Sequence, residues 1–133
     1  MSTELCICIA VRKASRRLTA RYDEALAPAG INLAQFSLLR NIRRHGPVSL
    51  TRLSELTDLD RSTLGRNVRV LERMNLCAPV DASDKREAAI ALTPEGQSIL
   101  AAAEPLWATT QTDIRARIGA DGAQQLEALL GAL

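Results

Sequence analysis

Residues 49–76 read SLTRLSELTDLDRSTLGRNVRVLERMNL, and this stretch decides the fold. Ser49 can cap a short helix that places Leu50, Leu53 and Leu56 along one side. Thr57-Asp58-Leu59 interrupts the pattern, and Asp60 can cap a second helix running to about Asn75. At about 100° per residue, Leu64, Val68, Leu71 and Asn75 fall within about 60° of one another and form an inner face. Ser62, Arg66, Arg69 and Arg73 occupy an equally narrow arc on the opposite side, with Thr63 and Asn67 on the flanks. The spacing therefore predicts a helix–turn–helix whose second helix turns three guanidiniums and a hydroxyl outward.

Upstream, residues 5–27 carry Ile7, Val11, Ala14, Leu18, Tyr22 and Ala25 at spacings of three and four, one apolar stripe that Pro28 and Gly30 bring to an end. Asn32, three residues before Gln35, has the form of a capping box, and Phe36, Leu39 and Ile42 follow on one face until Gly46-Pro47. Downstream, Val80 leads into the polar run 81–87, after which Ala88, Ile90 and Leu92 alternate at period two. These residues predict a hairpin of two short strands with a charged tip. Thr93-Pro94-Glu95 is a strong helix start, opening a long helix to about residue 117. A last helix is expected to begin near Asp121, with Gln124 at the capping-box position. The fold class is mainly α with one β hairpin: a winged helix–turn–helix flanked by N- and C-terminal helices.

With 133 residues, 47% hydrophobic and 24% charged, the chain has the length of one ordinary domain and the composition of a globular one. No apolar run approaches the roughly 18 residues that cross a bilayer. The first apolar stretch, Leu5 to Val11, has no basic residue before it and no small-residue cleavage site after it, unlike a secretory signal. Three cysteines are an odd count, which fits free thiols in a reducing cytoplasm. The expectation is a cytoplasmic protein with no membrane partner. Tyr22, Phe36 and Trp107 are the only aromatics, too few for a platform that stacks unpaired bases. No nucleophile–base pairing and no phosphate loop is evident, and His45 is the sole histidine, so the chain reads as no enzyme and as needing no cofactor. Cys6, Cys8, Cys77 and His45 lack any recognised metal-ligand spacing.

Charge is uneven along the chain. Residues 1–86 hold 15 Lys and Arg against 9 Asp and Glu, whereas residues 87–133 hold 2 against 6. The first part therefore suits an anionic partner. Arg outnumbers Lys 15 to 2, and its planar fork matches phosphates and guanine edges. A helix of this width fits the major groove of B-DNA, where Arg can donate two bonds to guanine and Asn can pair with adenine. Ser62 and Thr63, in the first turn, can donate to phosphate beside free backbone N–H groups. A merely solvated helix would interleave acids at i,i+4; here Glu72 is the only acid after the cap. Arg40, Arg43 and Arg44 close the second helix, where they complement its dipole and can reach phosphate. At the hairpin tip, Asp84-Lys85-Arg86 offers either an Arg for a narrow minor groove, with Asp84 holding Arg86 extended, or a polar turn that guards a strand edge.

The runs Leu53-Ser54-Glu55-Leu56, Leu59-Asp60-Arg61-Ser62-Thr63-Leu64, Leu71-Glu72-Arg73-Met74-Asn75-Leu76, Asp84-Lys85-Arg86 and Leu92-Thr93-Pro94-Glu95-Gly96 closely resemble the MarR family of bacterial transcriptional regulators. The resemblance covers nearly the whole chain in order and spacing. It implies a homodimer with interlocked N- and C-terminal helices, each subunit laying one recognition helix into successive major grooves of pseudo-palindromic double-stranded DNA. By the same resemblance the recognition positions are Ser62, Thr63, Arg66, Asn67 and Arg69, and the wing residue entering the minor groove is Arg86. It implies a repressor more often than an activator, and a possible small-molecule effector seated between the dimerisation and DNA-binding parts. Residues 1–30 and 97–133 are then the helical dimerisation region and 31–96 the DNA-binding region of a single domain. The residues support a dimer independently, because the first helix and the last, with Leu126, Leu129, Leu130 and Leu133, carry apolar faces that need a partner surface. One departure is Asn75 where the family prefers Gly, and Asn tolerates the left-handed conformation.

Members of the family that sense organic hydroperoxides carry a reactive Cys near the start of the first helix. Counted back from Ser15-Arg16, that position is Cys8. Arg12 stands where those members have Tyr, and its guanidinium can favour a thiolate; Tyr22 matches a second tyrosine of that group. Cys6 and Cys8 point about 160° apart on a helix and cannot bridge without unwinding it. Cys77 reads as a small buried apolar residue. For Cys6 and Cys8, packing and redox sensing both stay open. Two other functions also remain: a thiol-based redox switch acting through Cys8, and a winged-helix protein-interaction module, which would place acidic or apolar residues where Arg66, Arg69 and Arg73 stand.

Overall fold

A computed structural model describes residues 3–80 and 88–133. The elements are α1 (Ile7–Leu26), a 3-10 turn (Ala27–Ala29), α2 (Leu33–His45), β1 (Val48–Ser49), α3 (Leu50–Thr57), α4 (Arg61–Arg73), β2 (Cys77–Val80), β3 (Ala89–Leu92), α5 (Pro94–Ile118) and α6 (Ala120–Gly131). The helix starts follow from side-chain caps. Asn32 and Gln35 form the full capping box of α2. Ser49 accepts from the Arg52 amide, Asp60 from Thr63 and Thr93 from Gly96. Each satisfies an amide that the first turn leaves without a partner. Asp23, in the last turn of α1, accepts from the Leu33 amide at 2.8 Å and ties α1 to the start of α2.

The sheet has three antiparallel strands in the order β1-β3-β2, where the alternation predicted two. Val48 lies opposite Ile90, Cys77 opposite Leu92 and Val80 opposite Ala89. In the central strand β3, Ala89 and Ile90 are both buried, and the period-two pattern read from Ala88, Ile90 and Leu92 is not followed. Residues 81–87, which include Asp84, Lys85 and Arg86 of the tip, lie outside the described residues.

A single apolar cluster joins the elements. Phe36, Leu39 and Ile42 of α2, Leu53 of α3 and Leu64, Val68 and Leu71 of α4 meet Ile90 of the sheet and Leu100 and Ala103 of α5. Asn75, expected on the inner face of α4, is instead exposed, because the helix ends at Arg73 and Asn75 turns left-handed at φ +62°. It has a different task. Its backbone carbonyl accepts from the Thr93 hydroxyl at 2.7 Å, and its side-chain Nδ2 donates to Glu95 at 2.6 Å. A Cβ on Gly96 would stand 1.9 Å from the Leu76 carbonyl oxygen, so only glycine lets α5 start this close to β2. Both ends of the wing are thus pinned to the first turn of α5.

The ends of the chain are packed differently. Ile7 is 70% exposed, Leu129 66% and Leu133 88%, and Ile9, Val11, Leu126 and Leu130 are also exposed. In α6 only Ala123 is buried. That helix starts at Ala120 with Gly119 at its cap, φ +79°, so Asp121 falls within the first turn and the predicted box with Gln124 does not form. Tyr22 donates to Gln111 across α1 and α5, and Arg115 pairs with Glu127 across α5 and α6 at 2.6 Å. Among the described residues, no helix is long and apolar enough to cross a membrane.

Candidate nucleic-acid interface

α4 begins at a tightly built cap. One carboxylate oxygen of Asp60 accepts from the Thr63 amide at 2.8 Å and the other from the Thr63 hydroxyl at 3.1 Å. These two bonds hold the Asp60 carboxyl below its ordinary value, and the nearby Arg66 charge adds to the effect. The Thr63 hydroxyl hydrogen is therefore directed at Asp60, while its oxygen accepts from the Arg66 guanidinium at 3.4 Å. Ser62, one residue earlier, is exposed.

Beyond the cap, the helix divides as its spacing predicts. Leu64, Val68 and Leu71 are buried, and Ser62, Arg66, Arg69 and Arg73 are exposed. Thr63 and Asn67 are half-buried on the flanks; Asn67 faces α2, where it lines a cavity of about 240 Å³ with Asn32 and Gln35. Among the described residues, the only ion pairs are Arg43–Glu104, Arg52–Glu55 and Arg115–Glu127, so none of the three outward arginines of α4 is bound to a carboxylate there. The helix offers a row of guanidiniums to solvent, with the phosphate-seeking amides of its N-terminus at one end.

The arginines that close α2 behave otherwise. Arg40 lies over the Trp107 ring at 4.5 Å and the Phe36 ring at 5.6 Å, and Arg43 pairs with Glu104 of α5. Arg44 lines a cavity of about 810 Å³ between α1, α2 and the α3–α4 turn, together with Ser15, Thr19, Asn41, Thr57 and Leu59. The sequence reading assigned dipole and phosphate roles to Arg40 and Arg43 and missed their partners. A signal existed: Arg40 and Arg43 share the i,i+3 spacing of Glu104 and Trp107, so each pair sits on one helix face.

Cys6 is the N-cap residue of α1, outside the helix, and Cys8 lies in its first turn; both are exposed. Cys77 is buried, and that burial, with the Glu72 carboxylate, pushes its thiol up to about 11. Among the described residues, no three of His, Cys, Asp and Glu gather to hold a metal ion.

Comparison with known proteins decides the family. The sequence model of the MarR family matches residues 29–87, from the end of the 3-10 turn through α2, α3, α4 and β2. The transcriptional regulator MosR of M. tuberculosis is 30% identical and superposes with a TM-score of 0.82, over 98% of this chain and 96% of that one. This chain belongs to the MarR family. The DNA complex of MosR matches at 32% identity and a TM-score of 0.76, over 96% of this chain and 98% of that one. The HTH-type transcriptional repressor NicR of Pseudomonas putida is 31% identical over 96 residues, which are 71% of this chain and 61% of NicR. The chain spans about three-fifths of the length of the curated relatives it matches. The MarR-type arrangement of a mainly helical chain with a small antiparallel sheet is thereby established.

Proposed function

We propose that this chain is a transcriptional regulator, a repressor, that binds pseudo-palindromic double-stranded DNA as a homodimer. The observation that carries the reading is the exposed face of α4, on which Arg66, Arg69 and Arg73 stand without carboxylate partners among the described residues. In this reading Arg66 and Arg69 read guanine edges, Asn67 reads from the flank, and Ser62 donates to phosphate at the helix start. Thr63 contributes mainly through the cap that orients that start. Arg73 contacts backbone phosphate, and Arg86 with Lys85 enters the minor groove, Asp84 steering Arg86. The solved DNA complex of MosR supports this use of the fold. The apolar residues left exposed on α1 and α6 support a second copy as the partner, in keeping with a dimerisation region at 1–30 and 97–133 around a DNA-binding region at 31–96.

The cavity of about 810 Å³ supports a small-molecule effector that relieves DNA binding. The exposed thiols of Cys6 and Cys8 leave oxidation as a second route to the same end. Selecting genomic fragments with the full chain tests the function. The expected result is enrichment of an inverted repeat with half-sites about one helical turn apart. Recovery of random fragments would overturn it.

A further inference from the structure

We infer that Arg40 and Arg43 on α2, with Trp107 and Glu104 on α5, form a clasp that sets the angle between the DNA-reading unit and the dimerisation helix. They are positioning residues, acting through α2. Three observations converge. The two contacts are in register, one turn apart on both helices: Arg40 stacks on Trp107 at 4.5 Å while Arg43 pairs with Glu104. Oε1 of Glu104, the oxygen that meets the Arg43 guanidinium, is covered, although both side chains of the pair remain partly open to solvent. Cavities of about 810 and 260 Å³ lie beside the stack, and Phe36, Arg40, Arg44 and Trp107 line both.

Close packing normally makes a helix interface resist sliding and tilting. Leu100 and Ala103 of α5 pack against α2 in the core, but space flanks the contact at Trp107, so the directional interactions there add to the resistance that packing supplies. A cation over a ring face and an ion pair both weaken when the helices rotate against each other. α2 shares its apolar core with α3 and α4 through Phe36, Leu39 and Ile42, so a tilt of α2 carries the recognition helix with it. In a two-fold dimer, that tilt changes the distance between the two recognition helices. The clasp thus selects half-site spacing without touching DNA.

This inference rests on the dimeric DNA-binding reading above, and spacing is the readout that separates the two. The full-length chain is titrated with its selected duplex, with duplexes carrying one inserted or deleted base pair between half-sites, and with a half-site duplex. For the wild type, a one-pair change should weaken binding at least tenfold. Glu104→Gln, Arg43→Gln and Trp107→Leu should each reduce that penalty below threefold and leave half-site affinity unchanged. Trp107→Phe, which keeps an aromatic face, and the exchange Arg43→Glu with Glu104→Arg should restore the penalty. Variants that retain the wild-type spacing profile overturn the clasp, as does an equal loss on half-site and full-site DNA, which would mean α4 itself was damaged. A wild type indifferent to spacing overturns the dimeric reading and the clasp with it.

Discussion

The middle of the chain and its two ends obey different rules. From α2 to the start of α5, helix starts carry side-chain caps, the wing is pinned by Asn75, Thr93 and Glu95, and Leu39, Leu53, Leu64, Leu71 and Leu100 are fully buried. At the ends, apolar residues of α1 and α6 face outward, Ile7 and Leu129 among them, and α6 has no side-chain cap. The middle is finished by its own contacts. The ends leave apolar residues uncovered, which the proposed reading assigns to a second copy of the chain. The contrast teaches that, under the proposed function, reading DNA and pairing subunits would be separable tasks, joined through α5, whose first half enters the core and whose last turns contact α6.

Substitutions can break this contrast. Leu71→Ala, in the middle, should cost about 2–5 kcal/mol of stability, read from denaturant unfolding, because it opens a cavity in a sealed core. Leu129→Glu, at the end, should leave the circular dichroism of a folded helical chain but raise the dimer dissociation constant at least tenfold, about 1.4 kcal/mol, by sedimentation equilibrium. An unchanged constant would remove α6 from the interface. Gly65→Ala should stabilise the chain by about 0.5–1 kcal/mol, read from denaturant unfolding. A Cβ there meets nothing nearer than the Arg69 guanidinium at 3.9 Å, an ordinary contact that leaves room for the methyl group.

Thiol labelling offers the smallest effect. Cys6 and Cys8 should react in the folded protein at pH 8 while Cys77 waits for unfolding. The folded chain keeps the Cys77 proton to about 11, whereas the ordinary value is 9.0. The unfolded state thus releases its proton first as pH rises, and the contribution of this group to stability declines between those values. Three fast thiols would place Cys77 at the surface.

Much of the middle was legible in the residues because its signals are local. Asn32 with Gln35, Ser49, Asp60 and Thr93 announce helix starts within four residues of chain, and the two faces of α4 follow from helical spacing alone. The tolerance of Asn75 for a left-handed turn was also readable; its bonds to α5 were not, since they join residues about twenty positions apart. β1 escaped notice because two residues cannot show alternation and its partner Ile90 is remote. α6 starts at Ala120, beside the expected Asp121, but without the expected capping box, because Gly119, at φ +79°, holds the cap position and has no side chain to accept a bond. Within the interface, the outward placement of Arg66, Arg69 and Arg73 matched the spacing, but the engagement of Arg40 and Arg43 by α5 depends on tertiary packing.

The central claim is that the cationic face of α4 meets a duplex. The most direct test is the salt dependence of binding to the selected duplex, compared between wild type and the double variant Arg66→Ala with Arg69→Ala. Each phosphate neutralised adds about −0.9 to the slope of log K against log salt. The account predicts a steep wild-type slope from a dimer, with the variant losing discrimination between the selected duplex and random DNA. A flat wild-type profile, or a variant that discriminates as well as the wild type, would contradict it.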